Sequence, residues 1–155
     1  MQTKVLMVCL GNICRSPLAE GILKSKTDSQ LIFVDSAGTA GYHIGSNPDQ
    51  RSVAVAKKYG IDISGQKCRK FKYDDFAEFD IIYAMDLSNY YDILALTNDK
   101  SEIEKVRLLL EESSAPVREV PDPYYGGADG FEEVFELINQ ACDTIAERLN
   151  SQQTS

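Results

Sequence analysis

Lys4-Val-Leu-Met-Val-Cys9 is an unbroken apolar run that halts at Gly11-Asn12 and gives way to Ser16-Pro17. A short run without polar alternation suits a strand covered on both faces, and proline at the first helical position gives up an N–H that had no partner. The first 26 residues therefore read as strand, loop and helix, with Leu18, Ile22 and Leu23 on one side of that helix. The pattern recurs. Leu31-Ile-Phe-Val34 reads as a second strand ended by Asp35-Ser-Ala-Gly38, and a helix over roughly Pro48 to Tyr59 stops at Gly60, where a left-handed residue caps. Asp80-Ile-Ile-Tyr-Ala-Met85 is a third strand, followed by a short helix from Leu87 to Leu96. Val106-Arg-Leu-Leu-Leu110 is too short for its period to decide, and its length favours a buried strand. Phe131, Val134, Phe135, Ile138, Cys142, Ile145 and Leu149 follow the spacing of an amphipathic helix, after which residues 151–155 read as a disordered polar tail.

Strands that alternate with helices imply right-handed crossovers and a parallel sheet covered on both sides, with ligands at the carboxyl ends of the strands. Cys9 to Arg15, Ser36 to His43 and Met85-Asp86 then share one rim. A chain of 155 residues is one domain with a core of its own. Its formal net charge of -8 argues against non-specific nucleic-acid binding and against adsorption to an anionic membrane, so any phosphate recognition must be local. No apolar stretch is long enough to span a bilayer, and the start lacks the order of a signal peptide. The four cysteines, at 9, 14, 68 and 142, form no C-x-x-C pair, and with His43 as the single histidine they make no zinc set. Reduced thiols in a cytoplasmic protein is the simplest expectation.

Chemistry concentrates in Cys9-Leu-Gly-Asn-Ile-Cys-Arg-Ser16. Backbone N–H groups of a loop between a strand and a helix N-terminus converge on an anion, and the same field stabilises Cys9 as a thiolate nucleophile. Arg15 can return to that anion, its planar fork matching two oxygens of a phosphoryl group in flight. Gly11 and Asn12 supply the backbone freedom for the turn, Asn12 because it tolerates left-handed geometry. Attack on a phosphate ester also needs a proton for the leaving oxygen. Asp122 stands between two prolines in Val120-Pro-Asp-Pro-Tyr-Tyr-Gly-Gly127, and a carboxyl near a phosphate dianion holds its proton to higher pH, as a general acid must. Tyr124 and Tyr125 adjoin it and can flank a substrate ring, with Tyr42 and His43 as the opposite wall. Cys14 is close enough along the loop to trap an oxidised Cys9 as a disulfide, the alternative being a structural thiol.

The string Val8-Cys-Leu-Gly-Asn-Ile-Cys-Arg-Ser-Pro17 resembles the signature loop of the low-molecular-weight protein tyrosine phosphatases. The resemblance continues through Asp35-Ser-Ala-Gly38, Met85-Asp86 and Asp122-Pro-Tyr-Tyr-Gly126, in that family's order. It implies an α/β fold in three layers: a four-stranded parallel sheet with helices on both faces, flavodoxin-like, the phosphotyrosine phosphatase I fold. It further implies hydrolysis of phosphotyrosine in proteins, peptides and small aryl phosphates, with inorganic phosphate as product and no metal or cofactor. Cys9 would become a phosphocysteine, Arg15 would bind phosphate and stabilise the transition state, and Asp122 would protonate the phenolate and then activate water. Ser16 would hydrogen-bond the Cys9 sulfur, and Asn12 would hold the strained turn with Ser36 in support. Leu10, Ile13, Tyr42, His43, Tyr124 and Tyr125 match the positions that line the family's crevice. Gln66 departs from the pattern, since the family often has there a histidine that bonds the loop asparagine.

A thioredoxin-coupled arsenate reductase is the alternative on the same fold. It needs two further cysteines near the middle of the chain; Phe79 to Leu96 has none, and Cys68 and Cys142 are isolated in sequence. A non-catalytic binder of phosphorylated ligands would be expected to lack the nucleophile or the acid, and both are present. The basic cluster Lys67, Arg69, Lys70 and Lys72 reads as a solvated charge run rather than a contact for acidic substrates.

Overall fold

The structure is a computed structural model that describes residues 2–123 and 128–154. Thr3–Cys9 (β1), Ile32–Gly38 (β2), Ile81–Ala84 (β3) and Val106–Leu108 (β4) form a parallel sheet in the order β2-β1-β3-β4. Residues alternate across β1: Val5, Met7 and Cys9 belong to one buried cluster, Leu6 and Val8 to the other. Arg15–Ser25 (α1), Gln50–Lys58 (α2) and the last helix, Ala128–Thr154, pack together on the first face. The short helix Asp75–Glu78 (α3) and Leu87–Leu94 (α4) cover the second face through Phe76, Phe79 and Ile93. A one-turn helix at Lys100–Ile103 (α5) precedes β4, so the last helix is α6. This is the expected three-layer α/β arrangement. Because β1 has β2 on one side and β3 on the other, the chain leaves its end in one direction and returns in the other, which opens a crevice there.

Besides shifts of one or two residues at the ends of β1, β2, β3, α2 and α4, four boundaries differ from the sequence reading. Helix α1 begins at Arg15, so Pro17 is its third residue rather than its first. The carbonyl that an amide at position 17 would meet, on Ile13, instead accepts from the Asp49 amide at 2.7 Å, so the proline costs the helix no bond. Asp35-Ser-Ala-Gly38 does not end the second strand but belongs to it, because Gly38 pairs with Cys9 on one side and bridges Lys70 on the other. Only the first three residues of Val106-Arg-Leu-Leu-Leu110 are strand, and Leu109–Glu112 turn into a 3-10 helix. Finally, α6 runs through Thr154 instead of stopping before residues 151–155, since a backbone ladder needs no apolar face to propagate once nucleated. The described residues hold no helix long and apolar enough to cross a membrane.

Candidate active site

The loop after β1 is turned inside out. Its carbonyls are held by the surrounding scaffold: Cys9 by the Thr39 amide and Leu10 by the Ala40 amide, both at 2.9 Å, and Ile13 by Asp49 as above. The Asn12 carbonyl accepts from the Cys68 thiol at 2.8 Å, and that of Cys14 from the Ser52 hydroxyl at 3.3 Å. With the carbonyls drawn outward, the amides face the centre, where that of Asn12 approaches Cys9 Sγ at 3.3 Å. The amides of Leu10, Gly11, Ile13 and Cys14 donate to no protein atom among the described residues. Such a ring of N–H groups at a helix N-terminus is an anion cradle.

Asn12 makes this geometry. Its φ of 58° puts it in the left-handed region, and its side-chain amide is fully used there. It donates to Ser16 Oγ at 2.8 Å and to Ser36 Oγ at 3.0 Å, and accepts from the Arg69 amide at 2.9 Å. Ser36 in turn donates to Glu20 Oε1 at 2.6 Å. The chain of bonds has a polarity. Glu20 accepts from the Ser36 hydroxyl and Asn12 occupies a lone pair on each serine, while Ser16 Oγ lies 3.0 Å from Cys9 Sγ and 3.4 Å from the Ala37 carbonyl oxygen, so its own proton has the sulfur and that carbonyl within reach. Burial raises the pKa of Glu20, while Lys24 and Ser36 pull against that rise. Gln66 stays outside this network: it donates to the Pro17 carbonyl at 3.1 Å, and the Asn12 oxygen is met by Arg69 instead.

Arg15 is buried at 2% exposure, with Nη1 donating to Asp86 Oδ2 at 2.6 Å and to the Val120 carbonyl at 3.0 Å. Asp86 is itself fixed, since its other oxygen caps α4 at the Asn89 amide. Burial alone would weaken the hold of Arg15 on its proton, but Cys9, Asp86 and Asp122 outweigh it, and the pKa is raised. Nη2 reaches to within 3.7 Å of Asp122 Oδ2, whose side chain is 40% exposed. The Val120 amide donates to the Met85 carbonyl at 2.8 Å, which ties the Asp122 segment to the end of β3.

A crevice of about 310 Å³ brings Cys9, Arg15 and Asp122 together. Leu10, Ile13, Tyr42 and His43 form its walls, with Gly11 and Cys14 on the loop below. Asn12, Ser16 and Ser36 are buried behind the loop rather than in the crevice. Tyr124 and Tyr125 lie outside the described residues. Cys14 is a buried thiol whose pKa is pushed up to about 12, chiefly by burial and then by Asp49. Cys142 is sealed inside α6 packing, whereas Cys68 touches the loop despite its distance in sequence. Asp86, placed on the rim by its position at a strand end, acts as a positioning group, as do Glu20 and the Arg69 amide; Arg69 is not part of a solvated charge run, since its guanidinium pairs with Asp35 and Asp75 while its amide holds Asn12. Among the described residues there is no cluster of His, Cys, Asp or Glu fit to hold a metal.

Residues 4–155 match the family described as low molecular weight phosphotyrosine protein phosphatase. The chain is 45% identical over 154 residues to a putative low molecular weight protein-tyrosine-phosphatase of Synechocystis sp., covering 96% of this chain and 98% of the relative. It is 40% identical over 151 residues to the human low molecular weight phosphotyrosine protein phosphatase, covering 94% and 95%. A crystal structure of a protein tyrosine phosphatase from Entamoeba histolytica superposes with a TM-score of 0.90 at 36% identity, covering 98% of this chain and 99% of that one. An anion cradle with a cysteine at its floor, on a sheet of this order and with relatives of this kind along nearly its whole length, makes the chain a member of the low molecular weight protein tyrosine phosphatase family, a family of hydrolases.

Proposed function

We propose that the protein hydrolyses phosphotyrosine in proteins and peptides, and small aryl phosphates, through a phosphocysteine. The observation that carries this reading is the inside-out loop, with its inward amides, Cys9 Sγ at the floor and the buried Arg15 beside it. In the first step Cys9 Sγ attacks phosphorus in line with the ester oxygen. The S–P bond forms as the P–O bond breaks, and Asp122 gives its proton to the departing phenolate. Arg15 and the loop amides take the charge of the phosphoryl oxygens. In the second step Asp122 removes a proton from water as that water attacks phosphorus, and Cys9 leaves as a thiolate stabilised by the Ser16 hydroxyl. Inorganic phosphate is released. Leu10, Ile13 and Tyr42 present apolar surface to the substrate ring, which favours an aryl ester over an aliphatic one.

The family match over residues 4–155 supports one catalytic domain, and the four free cysteines support a reducing, cytoplasmic setting. Phosphate release from a phosphotyrosyl peptide, without added metal, tests the reaction. Wild type should turn over and Cys9→Ser should not. Asp122→Ala should lower turnover on phenyl phosphate about 100-fold or more and on esters of acidic phenols far less, because only the poor leaving group needs the proton. Equal loss on both would remove the general-acid role.

A further inference from the structure

Beside the crevice lies a second depression of about 520 Å³ that shares Leu10 and Tyr42 with it. Its far side is Tyr73 and Leu96, its floor includes Phe71, and Lys70 and Asp92 supply charge at its margins. Leu10, Tyr42, Tyr73 and Leu96 are 40%, 76%, 56% and 51% exposed, an unusual concentration of accessible apolar surface around one groove. The groove is also fixed to the phosphate loop. Gly38, which pairs with Cys9, donates its amide to the Arg69 carbonyl at 2.9 Å and accepts from the Phe71 amide at 2.7 Å. Lys70, held between those bonds, therefore keeps its position relative to the cradle. Tyr73 is braced edge-on against Phe76, with its hydroxyl on Glu102 at 3.0 Å. Of the basic cluster at positions 67–72, Lys67 is bound to Asn47 and the Arg69 guanidinium to Asp35 and Asp75. Lys70 makes no ion pair with any described residue and lines the groove.

We propose that this groove is a subsite for the polypeptide that carries the phosphotyrosine. It takes an apolar side chain flanking the phosphorylated residue, between Leu10 and Tyr42 on one side and Tyr73 and Leu96 on the other, with an adjoining carboxylate on Lys70. The inference rests on the phosphatase reading and adds to it a substrate class: phosphotyrosine in an apolar and acidic context. Continuity decides the occupant. A chain whose phosphotyrosine fills the crevice must leave it across its rim, and Leu10 and Tyr42 are the part of that rim that is also the groove's near wall. Local charge sets the second preference: a net charge of -8 gives an acidic peptide no general attraction, and with Asp92 also at the margin of the groove an acid is favoured only where it meets Lys70.

The test compares kcat/KM for phenyl phosphate with that for matched phosphotyrosyl peptides, in which a Leu-Glu pair lies before or after the phosphotyrosine or is replaced by Ala-Ala. Wild type should prefer one Leu-Glu peptide over its Ala-Ala control by about tenfold, the scale of burying one aliphatic side chain. Leu96→Ser should remove most of that preference. Lys70→Glu should remove the part due to the acid, and a Leu-Lys peptide should recover it. Both variants should hydrolyse phenyl phosphate like wild type, which also shows that they fold. Turnover of phenyl phosphate without peptide preference, or a preference that survives both substitutions, overturns the subsite. So does a change of oligomeric state in the variants with the peptide preference intact, since the groove would then seat a second copy of the chain. Failure of wild type to hydrolyse phenyl phosphate overturns the phosphatase reading, and the subsite with it.

Discussion

Asn12 occupies a backbone conformation that glycine would accept more easily, and its side chain explains why glycine would not serve. Three hydrogen bonds from one buried amide orient two serines and lock the Arg69 segment against the loop. The network ends on Glu20, whose raised pKa has a consequence for stability. A carboxyl that holds its proton more tightly in the folded state than in the unfolded chain stabilises the fold below the ordinary glutamate range, and that contribution is lost as pH rises through the folded value. Glu20→Gln should therefore flatten this part of the pH dependence, so that the variant gains on wild type in urea unfolding midpoints as pH rises above the ordinary glutamate range of about 4. Parallel curves would mean that Glu20 titrates alike in both states. Cys14 gives a second pH dependence at this scale. Were peroxide to convert Cys9 to a sulfenic acid, attack by the Cys14 thiolate would form the disulfide and release water. With the Cys14 thiol pushed up to about 12, closure should accelerate nearly tenfold per pH unit between about pH 6 and about pH 8. A flat rate would show that something other than Cys14 ionisation limits the trap.

The contact between β1 and β2 matters most at the ends of these strands. A Cβ built on Gly38 would lie 2.8 Å from the Leu10 carbonyl oxygen and 3.0 Å from the Asn12 nitrogen, both rigid backbone of the phosphate loop. Gly38→Ala must push that loop outward. It should leave a folded protein whose kcat/KM on phenyl phosphate has fallen about 100-fold, the cost of misplacing a reacting centre by about 1 Å. Unchanged activity would show that β2 yields instead. This element also marks where the sequence was hardest to read. Asp35, Ser36 and Gly38 are turn-forming types, yet here each has a side-chain or close-approach duty inside a strand: Asp35 on Arg69, Ser36 on Glu20, and Gly38 beneath the loop. The helices α3 and α5 had no signal, because one turn is too short to establish a period. By contrast Lys4 to Cys9, the α2 stop at Gly60 with φ of 81°, and the spacing from Phe131 to Leu149 were legible because burial or backbone sterics dictated them. Cys9, Arg15 and Asp122 could be picked out from residue type together with local context: a strand end, a helix start and two flanking prolines. The partners that orient them could not, since Asp86, Glu20 and Arg69 act through distances that only the folded chain sets.

Across the molecule, the loop is local in sequence but its supports are not. Ala40, Asp49, Ser52 and Cys68 hold its carbonyls, so the cradle exists only when distant segments have already docked. An anion that fits it has nothing comparable to bind in the unfolded chain. Under the proposed reaction the product is such an anion, and thermodynamic linkage makes inorganic phosphate a stabiliser of the whole fold. Saturation to about a hundred times its dissociation constant should add about 2.7 kcal/mol to unfolding. Melting temperature should climb with phosphate concentration at constant ionic strength, and a midpoint indifferent to phosphate would mean the cradle does not take it. Turned outside in, the same loop would have gained its stability from its own hydrogen bonds. As built, it leaves part of that stability to its occupant, so the protein's resistance to heat reports how full its active site is.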